Sequence, residues 1–224
     1  TKSCDEQKKD FKKIKINHKK RNLIQCYFFL SNLLKDNNFL EKSLNVSTKA
    51  IDIFNEFKNN DYEIDEFAGS KQFAYQLVHR ARVYSDLFRY DESVKDYEQY
   101  LKVISIKNLI ELSSDDYLRA LSEVGFIYST RGDTKNEYKY LKLRYEIIQQ
   151  YNKSNLNLQA KINRQIGFHY QSTNQYDKAI FHFDLTLRYV KKSLESNSSY
   201  INKKALFADK EMALLGKLDA EQSI

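Results

Sequence analysis

An all-α fold of repeated antiparallel helix pairs is predicted by three features of the sequence. Proline is absent from the 224 residues and only five glycines occur, so nothing interrupts helices and the turn-rich grammar of β proteins is missing. Apolar residues recur three and four apart, as in Leu23, Tyr27, Leu30 and Leu34, which is the spacing of one buried helix face. Short side chains return at regular intervals: Ser31, Ala81, Gly125, Gly167 and Ala208, with Ser43, Ser93 and Ala179 twelve residues after the first, second and fourth of them. Helix axes come to about 8–10 Å only where the crossing side chains are small, so these residues mark close approaches. A 42% hydrophobic composition, with 17 tyrosines, 14 phenylalanines and no tryptophan, supplies a sizeable core filled by aromatic wedges.

The pattern is clearest in residues 160–190, where Gly167, Tyr170, Ala179 and Phe183 are spaced 3, 9 and 4 apart. The small residues bring the two helices together, and the aromatic rings one turn on fill the space that opens. This spacing resembles the tetratricopeptide repeat (TPR), which has a small residue at position 8, an aromatic at 11, Ala at 20 and an aromatic at 24. The resemblance covers roughly residues 20 to 224 and implies an α-solenoid, a right-handed superhelix of antiparallel helix pairs. Successive position-8 residues lie 50, 44, 42 and 41 apart, against about 34 in an ordinary TPR unit. The length is similar to that of the long-helix TPR class found in regulatory and sensor proteins.

In chain order, residues 21–37 form the first helix, the Asn37–Asn38 pair turns the chain, and a second helix runs from Phe39 to about Phe57. Cys26, inside the apolar run LIQCYFFL, is expected to be a buried small hydrophobe. Residues 58–72 are polar and read as an inter-repeat loop running into a long next helix. The second unit spans roughly 73–106, turns at 88–90, and has Asp91 as the expected N-cap of its second helix. Residues 113–116 open the third unit, where the acids Asp115 and Asp116 suit a helix N-terminus. Its turn is Arg131, Gly132 and Asp133, and Glu137 and Leu141 depart from the expected small residue and aromatic. The fourth unit turns at 173–175 and continues as a helix from Tyr176 to about Leu194. Ser199 is expected to open a fifth unit, with a turn at Gly216 and the start of a further helix reaching Ala220. An array ending inside a hairpin leaves apolar surface uncovered, so the sequence reads as a piece of a longer protein, with self-association through that last repeat as one outcome.

Two domains follow from composition: a basic lead-in over residues 1–20 and a helical repeat array of about four pairs plus a truncated fifth over 21–224. Residues 1–21 carry nine Lys or Arg against three acids and so hold most of the formal net charge of +7. Such a segment suits an anionic surface, yet only Phe11 interleaves with its lysines, so nucleic-acid contact is an alternative and not the expected role. Cys4 stands in a Ser-Cys-Asp sequence similar to the surroundings of a lipidated bacterial cysteine. Neither cysteine has partners at metal-ligand spacing, and no run of 18 apolar residues exists. A cytoplasmic location is favoured, with the bacterial periplasm as the alternative should a signal segment precede Thr1.

Catalysis is not expected. The four histidines share no metalloprotease spacing, no nucleophile elbow or phosphate loop occurs, and no cofactor or metal is implied. What the resemblance implies is binding of a protein or peptide on the concave face, lined by first-helix positions. The candidate contact residues are Asn32, Tyr75, His79, Arg82, Arg119, Glu123, Phe126, Lys161, Arg164, Gln165 and Phe168. Arg82, Arg119, Lys161 and Arg164 form a cationic strip suited to an acidic peptide or a terminal carboxylate. The carboxylate clamp of chaperone-binding TPR domains wants Lys at position 5 and Asn at position 9. Asn32 meets the second requirement, but Phe28 occupies the first, so chaperone binding is not carried over. The alternative is a sensor or regulatory domain of a larger, bacterial signalling or transcription-regulatory protein whose output domain lies beyond residue 224.

Overall fold

The computed structural model describes residues 19, 22–59, 66–106, 114–196 and 200–224. Among them are nine α-helices and no strand: α1 over residues 22–36, α2 Leu40–Asn59, α3 Glu66–Asp86, α4 Tyr90–Ile106, α5 Ser114–Thr130, α6 Thr134–Tyr151, α7 Leu156–Ser172, α8 Tyr176–Glu195 and α9 Tyr200–Gln222. They fall into two compact units divided at Ile110. The first holds the pairs α1–α2 and α3–α4; the second holds α5–α6, α7–α8 and α9. The all-α, paired-helix class expected from the sequence is what the chain adopts. The basic lead-in and Cys4 lie outside the described residues, apart from Lys19.

All four hairpins turn by one device. The last residue before the new helix donates its N–H five residues back, Phe39 to Leu34 O at 2.8 Å, Arg89 to Tyr84 O at 2.8 Å, Asp133 to Tyr128 O at 3.0 Å and Gln175 to Tyr170 O at 2.8 Å. The preceding residue, Asn38, Phe88, Gly132 or Asn174, is left-handed with φ between 59° and 70° and donates three residues back. This is the Schellman motif, which satisfies carbonyls that a helix end leaves unpaired. Glycine and asparagine tolerate that conformation; a bulky side chain is strained in it. Phe88 is therefore out of place, and its ring, 79% exposed, meets Tyr90 edge-on.

The close-approach residues are buried as the spacing demands. Ser31, Ala81, Gly125, Gly167, Ser43, Ser93 and Ala179 are all inside. In the first unit the second-helix serine also donates to the backbone of the first helix: Ser43 Oγ to Ser31 O at 2.7 Å, and Ser93 Oγ to Ala81 O at 2.8 Å. A bidentate pair fastens α3 to α4, Arg80 Nε and a terminal nitrogen donating to the Asp96 carboxylate at 2.7 and 2.8 Å. In the third hairpin Gly125 faces Tyr140, with 3.7 Å between a virtual Cβ and the Tyr140 Cβ, so Glu137 is released from the contact. Its carboxylate instead meets His169 Nδ1 at 3.0 Å. Leu141 is buried, and the departures from the pattern do not undo the pair.

Several local expectations are corrected. Gly216 is not a turn: α9 runs unbroken from Tyr200 to Gln222. Ala208 is exposed, while Leu206, Ala213, Gly216 and Ala220 face inward, because the ring of Phe183 needs the missing side chain at Gly216. Asp91 lies in the first turn of α4, which begins at Tyr90, and the turn places Arg89 before it. Cys26 is exposed because α1 packs through Ile24 and Ser31, leaving Leu23 and Leu30 on the outer side. The polar segment after α2 is shorter than expected, since α3 begins at Glu66; residues 60–65 and Ser199 lie outside the described residues.

Phe183 is the centre of the second unit, fully buried among Ala179, Ala213 and Ala220. A methyl group at Gly167 would stand 2.7 Å from its ring, and one at Gly216 2.5 Å. With glycine on both sides the ring has nowhere to retreat. Gly216→Ala therefore lowers stability by about 1–2 kcal/mol in chemical denaturation, overpacking of about 1–3 kcal/mol outweighing the helix-propensity gain of up to about 1. Phe88→Gly acts in the opposite sense, raising stability by about 0.5–1 kcal/mol as left-handed strain is relieved against the entropy of glycine. A drop in the unfolding midpoint of Phe88→Gly would contradict that assignment.

Candidate functional site

The predicted contact residues fall on the first helix of each pair. In the first unit α1 and α3 enclose a hollow of about 290 Å³ lined by Ile24, Gln25, Phe28, Phe29, Tyr75 and Gln76. Phe29 and Tyr75 are exposed at it, because their positions on α1 and α3 lie off the faces that pack against α2 and α4. Asn32 is half-buried and spends its amide on the carbonyl of Phe28 at 2.8 Å. Arg82 is half-buried nearby.

His79 does not face outward with them. It is 4% exposed, with Nε2 3.2 Å from Ser43 Oγ and the edge of Phe28 against its ring. Burial, reinforced by the charges of Lys35 and Arg82 against a weaker opposing pull from Asp36, lowers its pKa to about 4. His79 is a neutral core residue, so its place in the contact set is corrected: the helical register is right, but the ring turns inward beside Ser43, where the short side chain leaves room.

In the second unit Arg119 and Phe126 on α5 and Lys161 and Phe168 on α7 are exposed, with Glu123 and Gln165 half-buried. Phe168 lies edge-on to Phe183 at 5.1 Å between centroids, which fixes its outward face. Arg164 is not an open charge. Its Nε lies 3.2 Å from Asp209 Oδ1 of α9, both side chains largely covered, and the same arginine contacts the Met212 sulfur. Of the cations expected to form a strip, Arg119 and Lys161 are exposed in this unit, while Arg164 belongs to an internal ion pair.

Two participants were not anticipated. Asp209 neutralises part of the strip. Arg144, on the second helix α6, reaches α7 and donates to Gln165 Oε1. Arg144 is 4% exposed, and burial brings its pKa down to about 10. A signal for it existed: Leu141, Arg144 and Ile148 occupy one helical stripe, and an arginine at a core position requires a reason. Among the described residues no group of three or more His, Cys, Asp or Glu side chains could hold a metal ion, and no helix is long and apolar enough to cross a membrane.

Known proteins agree with this architecture. Residues 77–105, the α3–α4 hairpin, match the tetratricopeptide repeat family model. Among solved structures, BtubC (BKLC) from P. vanneervenii is 17% identical, with 89% of this chain and 79% of that chain covered at a TM-score of 0.61. A kinesin-light-chain-like protein of nearly identical TPR-like repeats from Podosopora anserina is 15% identical, covering 89% and 90% at 0.61. A single-substitution variant of it is also 15% identical, covering 92% of both chains at 0.63. No curated protein matches. The fold is that of a TPR-like helical-repeat protein. Repeats of this kind generally serve protein–protein interaction and are generally non-catalytic.

The His79 environment yields a pH dependence. Its folded pKa of about 4 lies below the ordinary 6.5, so between those values the unfolded chain takes up a proton that the folded chain refuses. Stability is full above about pH 6.5 and falls as the pH drops toward 4, by about 2–3 kcal/mol from this group. The difference between the wild type and His79→Gln, followed by denaturant midpoint from pH 7 to 4, isolates that contribution. A constant difference across the window would show that His79 takes up its proton in the fold as readily as in the unfolded chain.

Proposed function

We propose that the chain is a non-catalytic protein- or peptide-binding module whose contact surfaces are the outward faces of the first helices in each unit. The observation that carries this reading is that exposed aromatic rings and exposed cations share those faces: Phe126 lies two turns after Arg119 on α5, and Phe168 two turns after Lys161 on α7. In the first unit Phe29 and Tyr75 border the hollow between α1 and α3. Aromatic side chains supply large contact area at low entropic cost, and guanidinium and ammonium groups fix orientation. An extended or helical segment with apolar anchors and acidic residues is the complementary ligand. Asn32, Arg82, Glu123 and Gln165 border the same faces and supply polar contacts, whereas His79 and Arg164 act from within.

Display of random and acid-enriched peptide libraries against the whole chain tests the proposal. Enriched ligands should carry aromatic or aliphatic residues next to Asp or Glu. The double variant Arg119→Glu, Phe126→Ala should weaken the best of them at least tenfold, while the far-ultraviolet circular dichroism stays that of the wild type. Failure to enrich any ligand, or unaltered affinity in that variant, would overturn the proposed surface.

A further inference from the structure

Arg144 presents a physical problem that the surrounding protein does not solve. A guanidinium removed from water costs several kcal/mol unless a carboxylate and a full set of acceptors compensate it. Arg144 is 96% covered by its neighbours, and it donates to the neutral amide oxygen of Gln165. Its Nε–H is fully buried and meets no acceptor among the described residues. Burial is the cause of its lowered pKa, with no carboxylate opposing it.

The charges around it make the deficit larger. Lys161, four residues before Gln165 on the same face of α7, is repelled by Arg144, Arg164 and Arg119 and attracted by Asp209. That carboxylate is committed to Arg164 at 3.2 Å, although it lies off the line of the arginine's Nε–H, which is itself buried without a hydrogen bond. Arg144 of α6 thus meets α7 at Gln165, one turn from Lys161, and the neighbouring Arg164 is held against Asp209 of α9. Lys161 is exposed, and Arg144 is covered one turn farther along α7, at Gln165.

We propose that Lys161 and Arg144 form an oxyanion-binding site, which takes a carboxylate or phosphate group of a ligand lying on the α5–α7 face. It rests on the binding reading above and specifies the ligand's anchoring group. Arg119 borders the site, and Asp209 is an internal competitor for the same positive charge. The shared chemistry is a compact, delocalised anion, for which guanidinium groups are matched donors.

The test uses the full chain with two probes, inorganic phosphate and an N-acetylated hexaglutamate peptide. At matched ionic strength, phosphate should raise the melting temperature relative to chloride. The peptide should bind wild type and lose at least tenfold affinity in Lys161→Met and in Arg144→Gln. The surface control Lys153→Met should remain within twofold, and Asp209→Asn should bind more tightly, by severalfold, which a purely structural role would not produce. Should Arg144→Gln fail to fold, Lys161→Met and Asp209→Asn still decide the matter. Phosphate stabilisation and peptide affinity both unchanged in Lys161→Met would overturn the site. Loss in Lys161→Met with full binding in a folded Arg144→Gln would remove Arg144 from it. Phosphate binding without peptide binding would uphold the anion site and sink the acidic-peptide form of the wider proposal. A phosphorylated peptide bound more than tenfold more tightly than its glutamate counterpart would assign phosphate over carboxylate.

Discussion

Everything in this chain depends on how closely two helix backbones can approach. An antiparallel pair joined by a three-residue turn has its depth of contact set near the turn, and a side chain larger than serine or alanine there would hold the axes apart. Gly167 and Gly216 show the limit of that requirement, because both abut the same ring. Phe183 does not merely occupy the space between α7, α8 and α9; it requires that two backbones present no Cβ. Once those approaches are fixed, the remaining elements follow in a simple way. Larger residues one turn away fill the wedge, polar faces turn outward, and the first helices are left with a surface that their partners do not cover.

That surface carries the exposed rings Phe29, Tyr75, Phe126 and Phe168 on first helices. The rings of second helices are divided: Tyr97, Tyr100 and Phe183 are fully buried, while Tyr151 on α6 and Phe181 on α8 are exposed. Within their units α2, α6 and α8 each pack against both their own partner and the next helix, which leaves them only a narrow face for solvent. Covered charges occur in both units: Arg80 with Asp96 in the first, and Arg144, Arg164 and Asp209 in the second. Scattered surface cations need no account; buried ones do.

The repeat and its turns were legible in the sequence because they depend on residue size at fixed spacing. Ser31 with Ser43, Ala81 with Ser93 and Gly167 with Ala179 were found by counting. What counting could not supply was rotation about the helix axis. Ile24, not Leu23, is buried on α1, and Cys26 is consequently outside. Gly216 looked like a turn because glycine breaks helices more often than it admits a ring. His79 held the right position in the register and the wrong direction. Arg144 lies on a second helix, outside the first-helix positions that register assigns to a contact surface, although its place among Leu141 and Ile148 marks it. The lesson is that a contact surface inferred from register names the correct helices before it names the correct side chains.

The two units close their hairpins by different means. In the first, the hydroxyls of Ser43 and Ser93 reach carbonyls of the facing helix, a directional latch that sets rotation as well as depth. In the α7–α8 pair Ala179 stands at the equivalent place and has no such group, and the directional bonds lie farther from the turn: His182 Nδ1 meets Asn163 Oδ1 at 2.9 Å, Thr186 Oγ1 lies 3.4 Å from Ala160 O, and Ser193 Oγ donates to Asn157 Oδ1 at 2.6 Å. The turn end of that pair is left to the fit of a ring between two glycines. Equal spacing in the sequence therefore conceals a difference in where each pair is fastened: close to its turn where serine stands, and away from it where alanine does.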